Sequence, residues 1–110
     1  MIVINIISDY TSTPGGRHIC EGPFSGEDFR EMLLIPKFNE AKEKKQKLLI
    51  NLDGGYGYAT SFLEEAFGGL ARIYGAKGVL DTIELVSNDE PAIIEEIIDY
   101  VKEAKIEGKS

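Results

Sequence analysis

Hydrophobic and polar positions along the chain switch repeatedly between a period of two and a period near 3.6. Ile2 to Ile7 is β-branched or apolar everywhere but Asn5, which predicts a strand buried on both faces. Asp9 to Gly16 is a turn cluster. Arg17 to Glu21 reads as a second, weaker strand, pairing with the first as a hairpin with a long loop. Ser25 stands where a helix N-cap belongs, with Asp28 three residues on, close to a capping box. Phe29, Met32 and Leu33 then share a helical face. Pro36 ends or kinks this helix, because it lacks an N–H and clashes with the preceding turn. Phe38 and Ala41 continue the pattern, and Lys42 to Lys47 is a charged, solvated stretch.

Leu48 to Leu52 is the next buried strand, broken by Gly54, Gly55 and Gly57. Phe62, Leu63, Ala66, Phe67, Leu70, Ile73 and Tyr74 recur at helical spacing. Gly75 and Gly78 end that helix. Thr82 to Val86 is a further strand. Asn88, Asp89 and Pro91 start a last helix striped by Ile93, Ile94, Ile97, Ile98 and Val101. Helices between strands imply crossovers. The expected fold is a small single-domain α/β protein with a mixed, mostly parallel sheet of about four strands and flanking helices. The domain spans residues 1–107, with a disordered tail at 108–110.

Composition narrows the function classes. With 110 residues and 43% hydrophobic content, the chain holds one domain with a real core. Its formal net charge of -7 argues against nucleic acid and against anionic membranes. One cysteine, Cys20, forms no internal disulfide and reads as a small buried apolar residue. The N-terminus reads as a strand rather than a signal peptide, and no apolar run approaches membrane-spanning length. A cytoplasmic protein follows.

Function is expected at the junction between the strand ending at Leu52 and the helix after it. Sites in such sheets lie outside the carboxyl ends of strands. Asp53 ends the strand, and Gly55 lets the backbone turn tightly. Tyr56 and Tyr58 are large aromatics in a loop. Thr60 and Ser61 sit at the helix start, where a hydroxyl can cap free N–H groups. Glu64, Gly68 and Arg72, four residues apart, share the face opposite the apolar stripe. A helical glycine costs about 0.5–1 kcal/mol against alanine, so an exposed Gly68 suggests a partner lying close. Gly69 borders the buried face and reads as packing.

These residues resemble a known family. EGPFSGEDFRE (Glu21 to Glu31) and LDGGYGYATSFLEEAFGGLAR (Leu52 to Arg72) are similar to the STAS-like domain family of unassigned function, related to sulfate transporter and anti-sigma-factor antagonist domains. The resemblance spans nearly the whole chain. It implies a prokaryotic signalling module without enzymatic activity that binds a histidine-kinase-like ATPase. The antagonists are phosphorylated within an Asp-Ser-Ser-Gly motif. Its two serines fall on Thr60 and Ser61, whereas Ala59 and Phe62 depart from it. Partner contacts then fall to Asp53, Gly55, Tyr56, Tyr58, Glu64, Gly68 and Arg72, and weak pairing of two copies stays open.

The remaining constellations are thin. His18 and Cys20 share a side of the weak strand, but two ligands do not make a zinc site. Neither a metal nor a cofactor is expected. Asp53, Glu64 and Glu65 do not form a paired-carboxylate site, because Glu64 and Glu65 point about 100° apart on a helix. STPGG (Ser12 to Gly16) lacks the lysine of a phosphate loop. Arg17 and Arg30 could hold an anion but more often serve in surface ion pairs. The alternative function is a small-molecule or nucleotide sensor that cradles its ligand in the glycine loop after Asp53.

Overall fold

Three short strands carry the fold: β1 (Ile2–Asn5), β2 (Leu48–Asn51) and β3 (Ile83–Val86). They pair in parallel in the order β1-β2-β3, with Ile2 beside Leu48 and Leu48 beside Ile83. The computed structural model describes residues 2–11, 14–55 and 57–104. Ser12, Thr13, Tyr56 and the expected tail at 108–110 lie outside the described residues.

Parallel neighbours need crossover connections, and helices supply them. A first long helix over residues 26–43 joins β1 to β2. A central helix over residues 60–74 and a shorter one, Ala76–Thr82, join β2 to β3. The last helix, Ala92–Glu103, follows. Both crossovers step in the same direction across the sheet, so right-handed connections put them on one face. Burial agrees. Leu48 and Ile50 are fully buried, whereas Val3 is 42% exposed in a row with half-buried Leu49 and exposed Glu84. The strands therefore bury one face, not two as their composition suggested. Asn5 and Asn51 are side by side on the open face, where Asn51 Nδ2 donates to Asn5 Oδ1 at 3.1 Å.

The N-terminal quarter departs from the expected hairpin. β1 stops at Asn5, whose N–H donates to the Asp9 carboxylate at 2.8 Å, and Ile6–Asp9 forms a helical turn that buries Ile6. Arg17–Glu21 is not a strand. Glu21 accepts the backbone N–H groups of Arg17 and His18 at 2.8 and 2.7 Å and winds Ile19–Glu21 into a 3-10 turn. The described residues thus hold three strands, all parallel, rather than about four in a mixed sheet. Cys20 is exposed on this turn, not buried.

Both long helices contain a π-turn, and this changes which residues face inward. Ser25 caps the first, its Oγ accepting the Asp28 N–H at 3.0 Å. The ladder widens at Arg30–Leu34 and resumes as α-helix Ile35–Glu43. Pro36 thus neither ends the helix nor breaks it, because the backbone opens just upstream of the ring. The extra residue rotates the buried stripe to Phe29, Leu34, Phe38 and Ala41, leaving Met32 67% exposed. In the central helix the π-turn is Glu64–Gly68; Phe62, Leu63, Ala66, Phe67 and Leu70 are buried as expected, with Ala71 joining them. Ile73 is 49% exposed instead. Gly75, at φ +89°, ends this helix, a geometry that favours glycine. Gly78 does not; it lies inside Ala76–Thr82.

Four phenylalanines fill the centre. Phe29 packs at 5.7 Å from Phe62 and 6.4 Å from Phe67, ring centre to ring centre, and Phe38 is fully buried beside Tyr74. Each such ring contributes roughly 1.5–3 kcal/mol through burial. Ile93, Ile97 and Val101 of the last helix join this core. No helix among the described residues is long and apolar enough to cross a membrane.

Candidate functional site

The loop after β2 is tied to the loop after β3. Asp53 accepts the Asp89 N–H and the Asn88 amide, both at 2.9 Å. Asp89 returns the bond, accepting the Gly54 N–H at 3.0 Å. Gly54 sits at φ +102°, where a side chain would be strained. The Asp89 N–H holds the Asp53 carboxyl below its usual range against desolvation, with help from Asn88. Asp53 is therefore a clamp between two loops. Tyr58 is a second anchor: its hydroxyl donates to the Leu52 carbonyl at 2.9 Å, and its ring lies 6.1 Å from Phe62. Burial, with the Asp53 charge adding, pushes the Tyr58 hydroxyl pKa up.

Between the two loops, at the carboxyl ends of β2 and β3, lies a cleft of about 370 Å³. It is lined by apolar Leu52 and Ile93, by Gly55, Gly57 and Tyr58 of the first loop, and by Asp89 and Glu90 of the second. Ser87 also lines it, but its hydroxyl is taken by the Glu90 carbonyl at 2.7 Å. Among the described residues the lining holds two carboxylates and no basic side chain.

The central helix starts beside this cleft, and Ala59 occupies its N-cap, extended at φ -69° and ψ 140°. Thr60 and Ser61 thus stand at the first two helical positions, not at the cap. Thr60 is exposed and Ser61 half-buried. Among the described residues neither hydroxyl makes a hydrogen bond. Phe62 points fully into the core, so it does not stand over them.

One turn on, the helix carries a charge cluster. The chain has three arginines, Arg17, Arg30 and Arg72, and all three converge on Glu64 and Glu65. Arg72 Nη1 donates to Glu64 at 2.7 Å, and Arg17 pairs closely with the same carboxylate. Arg30 Nη1 reaches the Glu65 carboxylate at 2.7 Å, and Arg17 approaches it at 3.3 Å. Burial pushes both carboxyls up, but the bonds from Arg72 and Arg17 hold Glu64 below its usual range, and those from Arg30 and Arg17 do the same for Glu65. The cluster joins the N-terminal loop, the first long helix and the central helix.

The two glycines of this helix serve the cluster. A Cβ on Gly68 would stand 2.7 Å from Glu64 Oε2, and Gly68 is buried beneath the Glu64–Arg72 pair. The expectation of an exposed Gly68 face is thus corrected: its cover is intramolecular. A Cβ on Gly69 would collide with the Arg30 guanidinium. Of the expected site residues, Gly55 and Tyr58 line the cleft, Asp53 clamps the two loops beside it, and Glu64, Gly68 and Arg72 belong to the cluster. Tyr56 lies outside the described residues. The role of Glu65, 12% exposed at its side chain and paired with Arg30, was missed. A signal existed: nine of the 12 cations are lysines, so three arginines stand out.

A family model described as a STAS-like domain of unknown function matches residues 25–92, from the cap of the first long helix to the start of the last. Neither a curated protein nor a solved structure matches the chain.

Proposed function

We propose, since the chain belongs to the family of STAS-like domains of unknown function, that it is a non-enzymatic interaction module of prokaryotic cytoplasmic signalling. Its partner is a histidine-kinase-like ATPase, and the switch is phosphorylation of Thr60 or Ser61. The observation that carries this reading is the pair of unbonded hydroxyls on the first turn of the central helix. A phosphate there meets free N–H groups and the positive end of the helix dipole, so the domain tolerates it. It also adds up to two negative charges to a surface of net charge -7, enough to change a partner's affinity.

The contact surface shrinks relative to the sequence expectation. Gly68 is covered, and Glu64 and Arg72 are spent on each other. The partner face is then the loop around Gly55 and Tyr58 with Thr60 and Ser61. The test is incubation of the chain with such an ATPase and ATP, read by capture and intact mass. Binding and a gain of one phosphate, lost in the Thr60→Ala/Ser61→Ala double variant, support the proposal. Capture without phosphate removes the switch, and no capture removes the partner.

The cleft favours a second reading, a ligand sensor at the same loop. Its carboxylates repel phosphates, so a small organic cation suits it better than a nucleotide. Ligand binding to the folded state raises the melting temperature. No rise with millimolar amines or nucleotides ends this reading.

A further inference from the structure

The segment from Ile19 to Phe24 exposes apolar side chains that the core does not use. Ile19 is 50% exposed and Phe24 40% exposed, and with Pro23 they line a shallow groove of about 310 Å³. Phe24 holds φ +64°, the left-handed region that bulky residues rarely enter. Its conformation is fixed from outside: the Gly15 N–H donates to the Phe24 carbonyl at 2.8 Å, and the Gly26 N–H to the Gly16 carbonyl at 2.9 Å. Glycine would satisfy that backbone with less strain, yet the position carries a phenyl ring, edge-on to Tyr10 at 5.6 Å and open to water. Strain of this kind persists where the surroundings over-determine it, and it concentrates at binding sites.

Among the described residues, the charge lining the groove is negative: Asp28, whose carboxylate also accepts the Tyr10 hydroxyl, while Glu21 and Glu27 bind the backbone of the same turn. Of the nearby basic side chains, Arg17 is committed to Glu64 and Glu65, and the His18 ring lies 3.5 Å from the Glu27 carboxylate. An apolar groove with a carboxylate rim complements a segment that is apolar at its anchors and basic between them. A second copy carries net charge -7, and its basic run, Lys42 to Lys47, has no apolar anchors.

We propose that the groove between Ile19 and Phe24 is a docking site for a basic, apolar-anchored segment of a partner protein. It is independent of the Thr60 and Ser61 reading and stands if that reading fails.

The test titrates the full isotope-labelled chain with three short synthetic peptides, followed by amide NMR. One alternates lysine with leucine, one lysine with serine, and one glutamate with leucine. The lysine–leucine peptide shifts the amides of residues 19–24 and binds about tenfold tighter than either control. Ile19→Ser and Phe24→Gly each weaken it by about tenfold while the fold is retained. In Phe24→Gly, loss of the Tyr10 contact and relief of backbone strain oppose each other. If that variant does not fold, the ring is structural and the strain argument fails; Ile19→Ser, an exposed position, then decides the docking site alone. Equal binding of the lysine–serine peptide, shifts centred on Gly55 to Tyr58, or unchanged affinity in Ile19→Ser overturns the proposal. So does self-association of the free chain in sedimentation that Ile19→Ser abolishes, since the occupant is then a second copy.

Discussion

The first two turns of the central helix adjoin in sequence and are built in opposite ways. On the second turn, Glu64 and Glu65 have every charge answered, by the chain's three arginines. On the first, Thr60 and Ser61 have polar groups with no bond, under an alanine cap that offers none. Charged residues and glycines look functional in a sequence, but here they hold three segments of the fold together. The modest hydroxyls are what the fold leaves available.

The largest way to break this contrast is Glu65→Ala. Arg30 and Glu65 are both 12% exposed at the side chain, and among the described residues the Arg30 Nε already lacks a partner. Removing one member of a buried pair leaves the other uncompensated, so urea unfolding should show a loss of about 3 kcal/mol. The same cluster sets an acid dependence. Glu64 and Glu65 are held below the usual 4.5, so the folded state binds protons less readily than the unfolded chain there. Their contribution is full above that value and fades as pH falls through the lower folded values. Glu65→Ala should flatten that acid limb, and an unchanged limb would mean the arginines do not govern it.

Next comes the pair of adjacent glycines. A Cβ at Gly69 runs into Arg30, which is packed and cannot retreat, so Gly69→Ala should cost about 2 kcal/mol. A Cβ at Gly68 meets side-chain ends alone, the Glu64 carboxylate at 2.7 Å and Arg72 Nη1 at 3.4 Å, both on a partly exposed ion pair. Gly68→Ala gains about 1 kcal/mol of helix propensity and loses part of a half-exposed ion pair, so its net change should stay under about 1 kcal/mol. Equal losses at the two positions would show that the arginine placement does not distinguish them.

This pair also marks the limit of what was legible. The buried stripe from Phe62 to Leu70, the strand at Leu48 and the last helix follow from local periodicity, and the structure keeps them. Periodicity failed where a π-turn added a residue, turning Met32 and Ile73 outward. It also failed at Ile19–Glu21, where side-chain carboxylates bond the backbone and displace a weak strand. The charge cluster was illegible for a different reason. Arg17 and Glu64 are 47 residues apart, and no local pattern pairs them. At the candidate site, the glycine loop between Asp53 and Tyr58 was legible, but the clamp from Asp53 to the loop after β3, 35 residues on, was not. The alanine at the cap showed only in the backbone angles of residue 59.

That cap yields a smaller, stabilising effect. Ala59 is exposed and has the extended backbone of an N-cap, but no acceptor. Ala59→Asp supplies one to the free N–H groups and places a negative charge at the positive dipole end, which should add about 1 kcal/mol in urea unfolding.

The smallest expected change is the sharpest test of the contrast between the turns. If Thr60 and Ser61 have no part in capping, Thr60→Ala and Ser61→Ala should each shift stability by less than about 0.5 kcal/mol. A cap would lose about 1 kcal/mol or more on the same substitution. The two magnitudes are separable in one urea titration per variant. A loss near the larger value at Ser61 would give that hydroxyl a structural role and move the free group to exposed Thr60 alone. Near-zero losses at both leave two hydroxyls that the fold does not use, on the first turn of a helix whose amides are free to receive a phosphate.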